Sequence, residues 1–290
     1  MTARRKSDEE TQRRTGNPFL STRAEAGRQA KSDQDRNLLW WEIKPMTYAP
    51  WEADERLPTS AADFEAMEAY LLGKSTYLRE VFAPDELADN HALDLGCGSG
   101  VLSCYLARHG ARVTSVDITK QGTTLTARNA ALRGLKIDVV RADAEAIPFA
   151  DGSFDFVLSW GVLHHSNRTE QAFAEVSRIL RPGGRGVIMV YHRNSLVYYL
   201  KGMYWLFVRG RILRGDSFAD VTDLYADGYY HRHFCSAELA GCLRDVGLRP
   251  TRLLATQQEE PVLPGCGGAL DRWLKKKLGW YLVAEIERPR

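Results

Sequence analysis

Long apolar runs are missing from this 290-residue chain, which argues against a protein that spans a membrane. The most apolar stretch, "SLVYYLKGMYWLFV", is too short to cross a bilayer and carries Lys201 in its middle. The first residues, "MTARRKSDEETQRRTG", are charged throughout and lack the apolar segment of a secretory signal. We therefore expect a cytoplasmic protein without stable membrane insertion.

The low net charge and the small number of cysteines exclude further classes of protein. The formal net charge is only +2, whereas a surface that follows nucleic-acid phosphates usually has a clear basic excess. The five cysteines are an odd set without the spacing of a disulfide framework, which fits a reducing cytosol. The composition, with 44% hydrophobic residues, is that of a soluble globular enzyme without a nucleic-acid partner.

The pattern of polar and apolar residues divides the chain into five segments. The first is polar, mixed in charge and without periodicity, which predicts a disordered leader. The second is rich in tryptophan and proline, and Ser60 with Asp63 forms a capping-box pattern that opens a helix. The predicted segments are the leader at 1–36, a helical and irregular cap at 37–82, the core at 83–192, a lid or substrate insertion at 193–234, and the C-terminal part of the core sheet at 235–290.

Seven short apolar runs have the composition of strands. Five of them lie before residue 192 and alternate with segments of helical spacing, the pattern of a parallel sheet covered on both faces. The runs "PTRLLATQ" and "GWYLVAEIE" follow a helix that Ser236 is expected to cap. The predicted fold is α/β: a Rossmann-like, doubly wound, mostly parallel seven-stranded sheet with helices on both faces.

A glycine-rich turn, "LGCGSG", follows the first predicted strand. A dinucleotide fingerprint that begins at Gly96 and Gly98 requires a third glycine at position 101, where this chain has Val101, so a nicotinamide dehydrogenase is disfavoured. Asp117 ends the second strand about twenty residues further on, where a carboxylate can accept hydrogen bonds from a ribose. The alternative role for Asp117 is to cap the next helix.

Four motifs in order resemble class I S-adenosylmethionine-dependent methyltransferases of type 11, in the branch that includes quinone methyltransferases. They are "LDLGCGSG", "SVD", "ADAEAIPFADGSFDFVLSWGVLHH" and "EVSRILRPGGRGVIMV". The resemblance covers residues 90–191 and implies that the core binds S-adenosylmethionine, with no metal. Carried over to this chain, the family's cofactor-binding positions are Asp94, Gly96, Cys97, Gly98, Gly100, Asp117, Ile118, Asp143, Ala144, Ser159 and Trp160.

The resemblance also implies a role for each part of that set. The glycine turn lies against the methionine part of the cofactor, with Asp94 orienting the turn. Asp117 holds the ribose, while Ile118, Asp143 and the Ala144 backbone meet the adenine; a solvated loop acid is the alternative for Asp143. Ser159 and Trp160 lie near the sulfonium end. Cys97 is expected to be a small filler rather than a nucleophile.

Histidine and tyrosine side chains follow the fourth and fifth predicted strands, where an acid or base is expected. The candidates for a base are His165, Tyr191 and His192, and, in the stretch "YYHRHFC", His231 and His233. Cofactor packing is the alternative for the first group. Together with Cys235, the last two histidines share one face of an extended chain, so a metal site is a further alternative there.

The segment after the fifth strand predicts an apolar lid. Helical spacing places Leu196, Leu200, Met203, Tyr204 and Phe207 on one face, and nearby arginines can meet an acidic group. The predicted occupant beneath the lid is an apolar or aromatic small molecule. A homodimer interface and shallow contact with a membrane that supplies a lipid acceptor are the alternatives.

Together these features predict methyl transfer from S-adenosylmethionine to the oxygen or nitrogen of a small molecule, by in-line displacement in a water-excluding site. One alternative is C-methylation of a prenylated quinone or a similar lipid-like ring. Another is a non-catalytic cofactor-binding partner or regulator. A nucleic-acid base methyltransferase is disfavoured, because "SWGV" stands where those acting on exocyclic amines have an Asn- or Asp-Pro-Pro-aromatic motif.

Overall fold

Eight strands form one mixed sheet at the centre of the fold. The computed structural model describes residues 32–46, 56–222, 224–257 and 267–290. The strands are β1 (His91–Leu95), β2 (Arg112–Asp117), β3 (Ile137–Arg141), β4 (Phe154–Trp160), β5 (Leu180–His192), β6 (His233–Phe234), β7 (Arg249–Thr256) and β8 (Tyr281–Glu287). Their order is β3-β2-β1-β4-β5-β8-β7, and β6 pairs with β5.

The sheet is mostly parallel, as predicted. Strands β1 to β5 pair in parallel with their neighbours, whereas β8 runs antiparallel to both β5 and β7. All seven predicted strands are present, so the doubly wound fold is confirmed. Strand β6 was not predicted, because a two-residue strand is too short to show an alternating pattern.

Helices cover both faces of the sheet. They are α1 (Asp33–Ile43), α2 (Ala61–Lys74), α3 (Leu78–Phe82), α4 (Val101–Arg108), α5 (Lys120–Leu132), α6 (Thr169–Ile179), α7 (Leu196–Met203), α8 (Phe218–Thr222), α9 (Ser236–Asp245) and α10 (Gly268–Leu278). One buried cluster joins α2, α3 and α4 to the sheet, and a second joins α6 and α9 to it. In the described ranges, no helix is both long and apolar enough to cross a bilayer.

The first helix begins inside the segment predicted to be a leader. Ser32 caps α1 and forms a capping box with Asp35, so the helix begins before residue 36. Trp40 is fully buried, and the start of the tryptophan-rich segment is therefore helical rather than irregular. The rest of the predicted leader, residues 1–31, lies outside the described residues, as do residues 47–55 of the predicted cap.

Two other helix starts were predicted from their capping residues, and the structure agrees with one of them. The predicted capping box of Ser60 and Asp63 is present at α2. At α9 the prediction was wrong: Cys235 is the N-cap residue, without a side-chain hydrogen bond, and Ser236 is the first helical residue. A serine one position late cannot cap, since its backbone is already helical.

The segment after β5 is not one continuous helix. Ser195 caps α7, which passes into a π-helical turn at Tyr204–Val208 and a 3-10 turn at Arg211–Arg214. Gly202 lets this segment pack closely, because a Cβ there would stand 2.2 Å from the Phe218 ring. These breaks change which residues face the interior.

Candidate active site

A cavity of about 730 Å³ lies at the carboxyl ends of the parallel strands. Ligands bind at this edge in open α/β sheets, and the volume is typical of small-molecule sites. Helices α1 and α7 supply further walls. The wall residues that end or follow strands β1 to β5 include Leu95, Gly96, Cys97, Gly98, Val116, Asp117, Ile118, Ala142, Asp143, Ala144, Trp160, His165 and Tyr191.

The glycine turn after β1 presents bare backbone to the cavity. Gly96 and Gly98 have φ values of +83° and +54°, in the region that favours glycine. A Cβ on Gly96 would stand 2.2 Å from the Val162 side chain, so that position is closed by packing. A Cβ on Gly98 would meet only the Met46 carbonyl oxygen, at 3.8 Å, so a ligand can approach the backbone there.

Asp117 holds the glycine turn in place. Its Oδ2 accepts a hydrogen bond from the Gly98 N–H at 2.9 Å, and its Oδ1 accepts from both the backbone N–H and the hydroxyl of Thr119. Burial raises the pKa of Asp117, while these hydrogen bonds oppose the shift. Thr119, not Asp117, caps α5, so the capping alternative is wrong. Oδ2 accepts this one hydrogen bond among the described residues, so its second lone pair can accept from a ligand hydroxyl.

Asp143 lies beyond β3 and is engaged on both oxygens. Oδ1 accepts from the Glu145 N–H at 2.9 Å, and Oδ2 accepts from the Gln34 side-chain amide at 2.7 Å. Ile118 and Ala144 line the same end of the cavity. Asp143 is part-buried rather than a solvated loop acid.

Three of the positions carried over from the family do not line the cavity. Asp94 is buried beneath the turn, where its carboxylate accepts from the Ser103 hydroxyl and so ties β1 to α4. Burial raises the pKa of Asp94 to about 6. Gly100 is the N-cap residue of α4. Ser159 is fully buried, and its hydroxyl has no partner among the described residues.

Cys97 and Trp160 both lie in the cavity wall. Burial raises the pKa of the Cys97 thiol well above its usual value, so the reactive thiolate is disfavoured, as expected of a small filler. The Trp160 ring packs edge-on against Phe82, with centroids 5.4 Å apart, and is tilted against Tyr77. Aromatic rings therefore pack against the cavity wall at the end of β4.

Helix α1 supplies cavity residues that sequence reasoning missed. Gln34, Asn37 and Trp41 line the cavity, and their spacing of three and four places them on one helical face. The Asn37 amide donates to the His165 carbonyl oxygen at 2.5 Å, and the Trp41 ring meets the His165 ring edge-on. The spacing of these three residues could have indicated a shared helical face. It was missed because the face combines two polar residues with an aromatic one.

A carboxylate anchors the end of α1 to α5. Glu42 accepts from the backbone N–H groups of Lys120 at 2.8 Å and Gln121 at 3.2 Å. These groups belong to the first turn of α5, where unpaired N–H groups and the helix dipole favour a negative charge. Helix α1 is thus fastened across the cavity at both of its ends.

His165 is the one predicted histidine in the cavity wall. Its Nδ1 lies 3.0 Å from the Tyr230 carbonyl oxygen. Because a carbonyl only accepts, Nδ1 carries the proton of the neutral ring, and Nε2 has the lone pair. Burial lowers the pKa of His165 to about 4, so the ring is neutral near pH 7. Tyr191 lines the cavity beside it, with ring centroids 5.5 Å apart.

The other predicted bases lie outside the cavity wall. His192 is buried with its Nδ1 2.9 Å from the Gly279 carbonyl oxygen. His233 is buried among aromatic rings, and burial lowers its pKa to about 3. His231 lies next to it, with ring centroids 5.3 Å apart. Within the described residues, no group of three or more histidine, cysteine and acidic side chains is arranged to hold a metal ion.

Comparisons with known proteins agree with this geometry. A family model described as a methyltransferase domain matches residues 93–188, which contain the glycine turn and Asp117. Residues 93–188 are thus a methyltransferase domain by sequence, and the fold around them agrees. A solved S-adenosylmethionine-dependent methyltransferase from Mesorhizobium loti shares this fold, with a TM-score of 0.55 and 20% identity over 73% of this chain and 97% of that chain.

Two curated relatives share sequence with the methyltransferase domain. A ubiquinone biosynthesis O-methyltransferase from Ralstonia nicotianae is 30% identical over 58% of this chain and 66% of its own length. A phthiotriol/phenolphthiotriol dimycocerosates methyltransferase from Mycobacterium tuberculosis is 38% identical over 44% of this chain and 46% of its own length. The chain thus spans less than two thirds of the length of either relative.

The walls of the methyltransferase domain suit a nucleoside with an attached amino acid. Gly98 leaves space beside bare backbone, and Asp117 offers an oxygen acceptor. Gln34 Oε1 is buried without a hydrogen-bond partner among the described residues, close to Asp143, whose Oδ2 is 2.7 Å from the same amide. Two acceptors side by side fit an exocyclic amino group, which donates two hydrogen bonds.

The opposite end of the cavity is aromatic. Its walls include Tyr191, Tyr204, Trp205, Tyr225 and Trp280. The Tyr225 hydroxyl is already committed, donating to the Tyr198 carbonyl oxygen at 2.9 Å. This end is suited to a flat or apolar molecule.

The segment predicted to be a lid borders the cavity. Val197, Lys201, Tyr204 and Trp205 line the cavity. Of the predicted face, Leu200, Met203 and Phe207 are about half exposed, at 49%, 49% and 51%. The segment changes helical type after Met203, so Tyr204 of that face lines the cavity while Leu200, Met203 and Phe207 are half exposed.

Proposed function

We propose that this protein transfers a methyl group from S-adenosylmethionine to the oxygen or nitrogen of a small apolar or aromatic molecule. One observation carries the proposal. A single cavity joins a polar end, with Gly98, Asp117 and Asp143, to an aromatic end beside a neutral histidine of fixed tautomer. The ubiquinone O-methyltransferase relative supports oxygen as an acceptor atom.

The polar end is assigned to the methyl donor. Asp117 would accept from a ribose hydroxyl, Asp143 and Gln34 from the adenine amino group, and the bare backbone at Gly98 would meet the methionine portion. When bound, S-adenosylmethionine supplies a methyl group on a sulfonium, which is an excellent leaving group. The protein therefore has to orient the acceptor, exclude water and take up a proton.

His165 is the proposed base. Its neutral Nε2 can accept the proton of an acceptor hydroxyl while Nδ1 stays hydrogen-bonded to the Tyr230 carbonyl. The Trp41 ring packs edge-on against the imidazole, and the Asn37 amide fixes the backbone by donating to the His165 carbonyl oxygen. Gly228 permits this arrangement, because a Cβ there would stand 2.4 Å from His165 Nδ1.

A labelled methyl donor tests whether the protein transfers a methyl group and to which atom. The protein is incubated with methyl-deuterated S-adenosylmethionine and a small-molecule extract, and labelled products are sought by mass spectrometry. A label on oxygen or nitrogen is the expected result. A label on a ring carbon selects the C-methyltransferase alternative, and binding of S-adenosylhomocysteine without any label selects the non-catalytic one.

Two histidine variants test the base. We expect His165→Gln to lower kcat at least about 100-fold, because general-base catalysis typically contributes that much. His192→Gln is the matched control, since His192 is also buried with Nδ1 on a carbonyl oxygen but lies outside the cavity wall. Its kcat should stay within a few-fold of the wild type. Equal losses in the two variants would remove His165 from the proposed role.

A further inference from the structure

The segment from α7 to the 3-10 turn has an apolar outer surface. Val208 is 72% exposed and Leu213 is 89% exposed, far more than apolar side chains of this size usually are. We define the outer face of this segment by six exposed residues: Tyr199, Leu200, Met203, Phe207, Val208 and Leu213. Large apolar side chains exposed together on one short segment are a feature of interaction sites.

The same segment is basic. Residues 196–215 contain Lys201, Arg209, Arg211 and Arg214 and no acidic residue. Arg211 is buried and paired with Asp216, whereas the other three are exposed. The Arg209 guanidinium lies over the Trp205 ring, 5.5 Å from its centroid. Aromatic and aliphatic residues together with exposed cations are typical of a surface that lies in the headgroup region of a bilayer.

The outer face is continuous with the mouth of the cavity. Tyr204 lines the cavity and is also 46% exposed, while Val197 and Lys201, from the same helix, are in the cavity wall. One side of the segment therefore faces the site and the other faces outward. The segment therefore separates the exposed apolar residues from the cavity by the thickness of one helix.

We propose that the outer face binds the surface of a bilayer that contains anionic lipids, so that the cavity opens toward the membrane. The delivery of an apolar acceptor from the bilayer rests on the proposed function, but the membrane binding does not. A second copy of the chain is a poorer occupant. A symmetric dimer through this face would gather the exposed cations of both copies in one interface, to which residues 196–215 contribute no acidic residue.

Vesicle sedimentation tests the proposal with the full chain and without cofactor. Vesicles of phosphatidylglycerol are compared with vesicles of phosphatidylcholine. We expect the protein to bind the anionic vesicles and to be released by about 0.5 M sodium chloride, where charges are screened within about 4 Å. The double variant Val208→Glu/Leu213→Glu should lower the bound fraction at least about tenfold, because it places acidic groups at the most exposed apolar positions.

Leu132→Glu is the matched control, since Leu132 is an apolar residue on α5 that is 45% exposed and lies outside the segment. It should bind vesicles as the wild type does. Equal binding by the double variant, or no binding of the wild type to anionic vesicles, overturns the proposal. A wild-type dimer that the double variant makes monomeric, with no vesicle binding, instead identifies a subunit interface. Calorimetry with S-adenosylhomocysteine reports separately on the proposed function.

Discussion

Alanine substitutions at two glycines distinguish the effect of backbone strain from the effect of a contact with the cofactor. Gly98 and Gly134 both have positive φ, at +54° and +65°. A Cβ at Gly134 would meet nothing within 4 Å, and one at Gly98 would meet only a carbonyl oxygen at 3.8 Å. Alanine in this region costs about 1–2 kcal/mol, partly offset by about 0.4–1 kcal/mol from the stiffer unfolded chain. Both Gly98→Ala and Gly134→Ala should therefore lower the free energy of unfolding by about 1 kcal/mol.

Cofactor affinity should distinguish the two variants. The alanine methyl group at Gly98 would occupy space that the methyl donor needs, whereas Gly134 follows the end of α5 and lies outside the cavity wall. We expect Gly98→Ala to weaken S-adenosylhomocysteine binding at least tenfold, about 1.4 kcal/mol, and Gly134→Ala to leave it unchanged. Urea unfolding gives the stability and titration calorimetry gives the affinity. Equal affinities in the two variants would refute the placement of the cofactor against Gly98.

Two further predictions concern stability. Burial lowers the pKa of His233 to about 3, below its unfolded value near 6.5, so its contribution to stability is present above pH 6.5 and is lost as the pH falls. Between pH 7 and pH 4.5 the free energy of unfolding, measured in urea, should fall by about 2–3 kcal/mol more in the wild type than in His233→Phe. The same pH dependence in both proteins would contradict a buried neutral ring. Glu42→Ala should lower the free energy of unfolding by about 1 kcal/mol in the same assay, because the Lys120 and Gln121 N–H groups lose their acceptor. Glu65→Ala is the control, since Glu65 lies on α2 and outside these contacts. An equal loss in both glutamate variants would show that the contact with α5 is not what stabilises the wild type.

Periodicity predicted the sheet because each strand buries a continuous apolar run. Strand β1 illustrates this: Ala92, Leu93 and Leu95 are all buried, between helices on both faces. The glycine turn and Asp117 were also predictable, since positive φ and a carboxylate at a strand end leave little choice of residue type.

The parts that sequence reasoning missed have physical causes. Helix α1 places Gln34 and Asn37 against a polar site, so its inner face does not show the apolar stripe by which helices are recognised. In the segment after β5, Val197 faces the cavity while Leu200 faces outward. A segment that is apolar on both sides gives no pattern from which the buried face can be read.

Predicting that a histidine follows a strand is not the same as predicting where its ring lies. His192 ends β5 and His165 follows β4, but of these two only His165 lines the cavity. The difference arises from contacts remote in sequence: the Tyr230 carbonyl holds one ring and the Gly279 carbonyl the other. Such pairings depend on how the later segments fold back onto the sheet.

Titration calorimetry with S-adenosylhomocysteine tests the central claim, that the cavity beside the glycine turn holds the methyl donor. We predict one binding site per chain and at least tenfold weaker binding, about 1.4 kcal/mol, by Asp117→Ala. Absence of binding by the folded wild-type protein, or an unchanged affinity in Asp117→Ala, would contradict the assignment of this cavity.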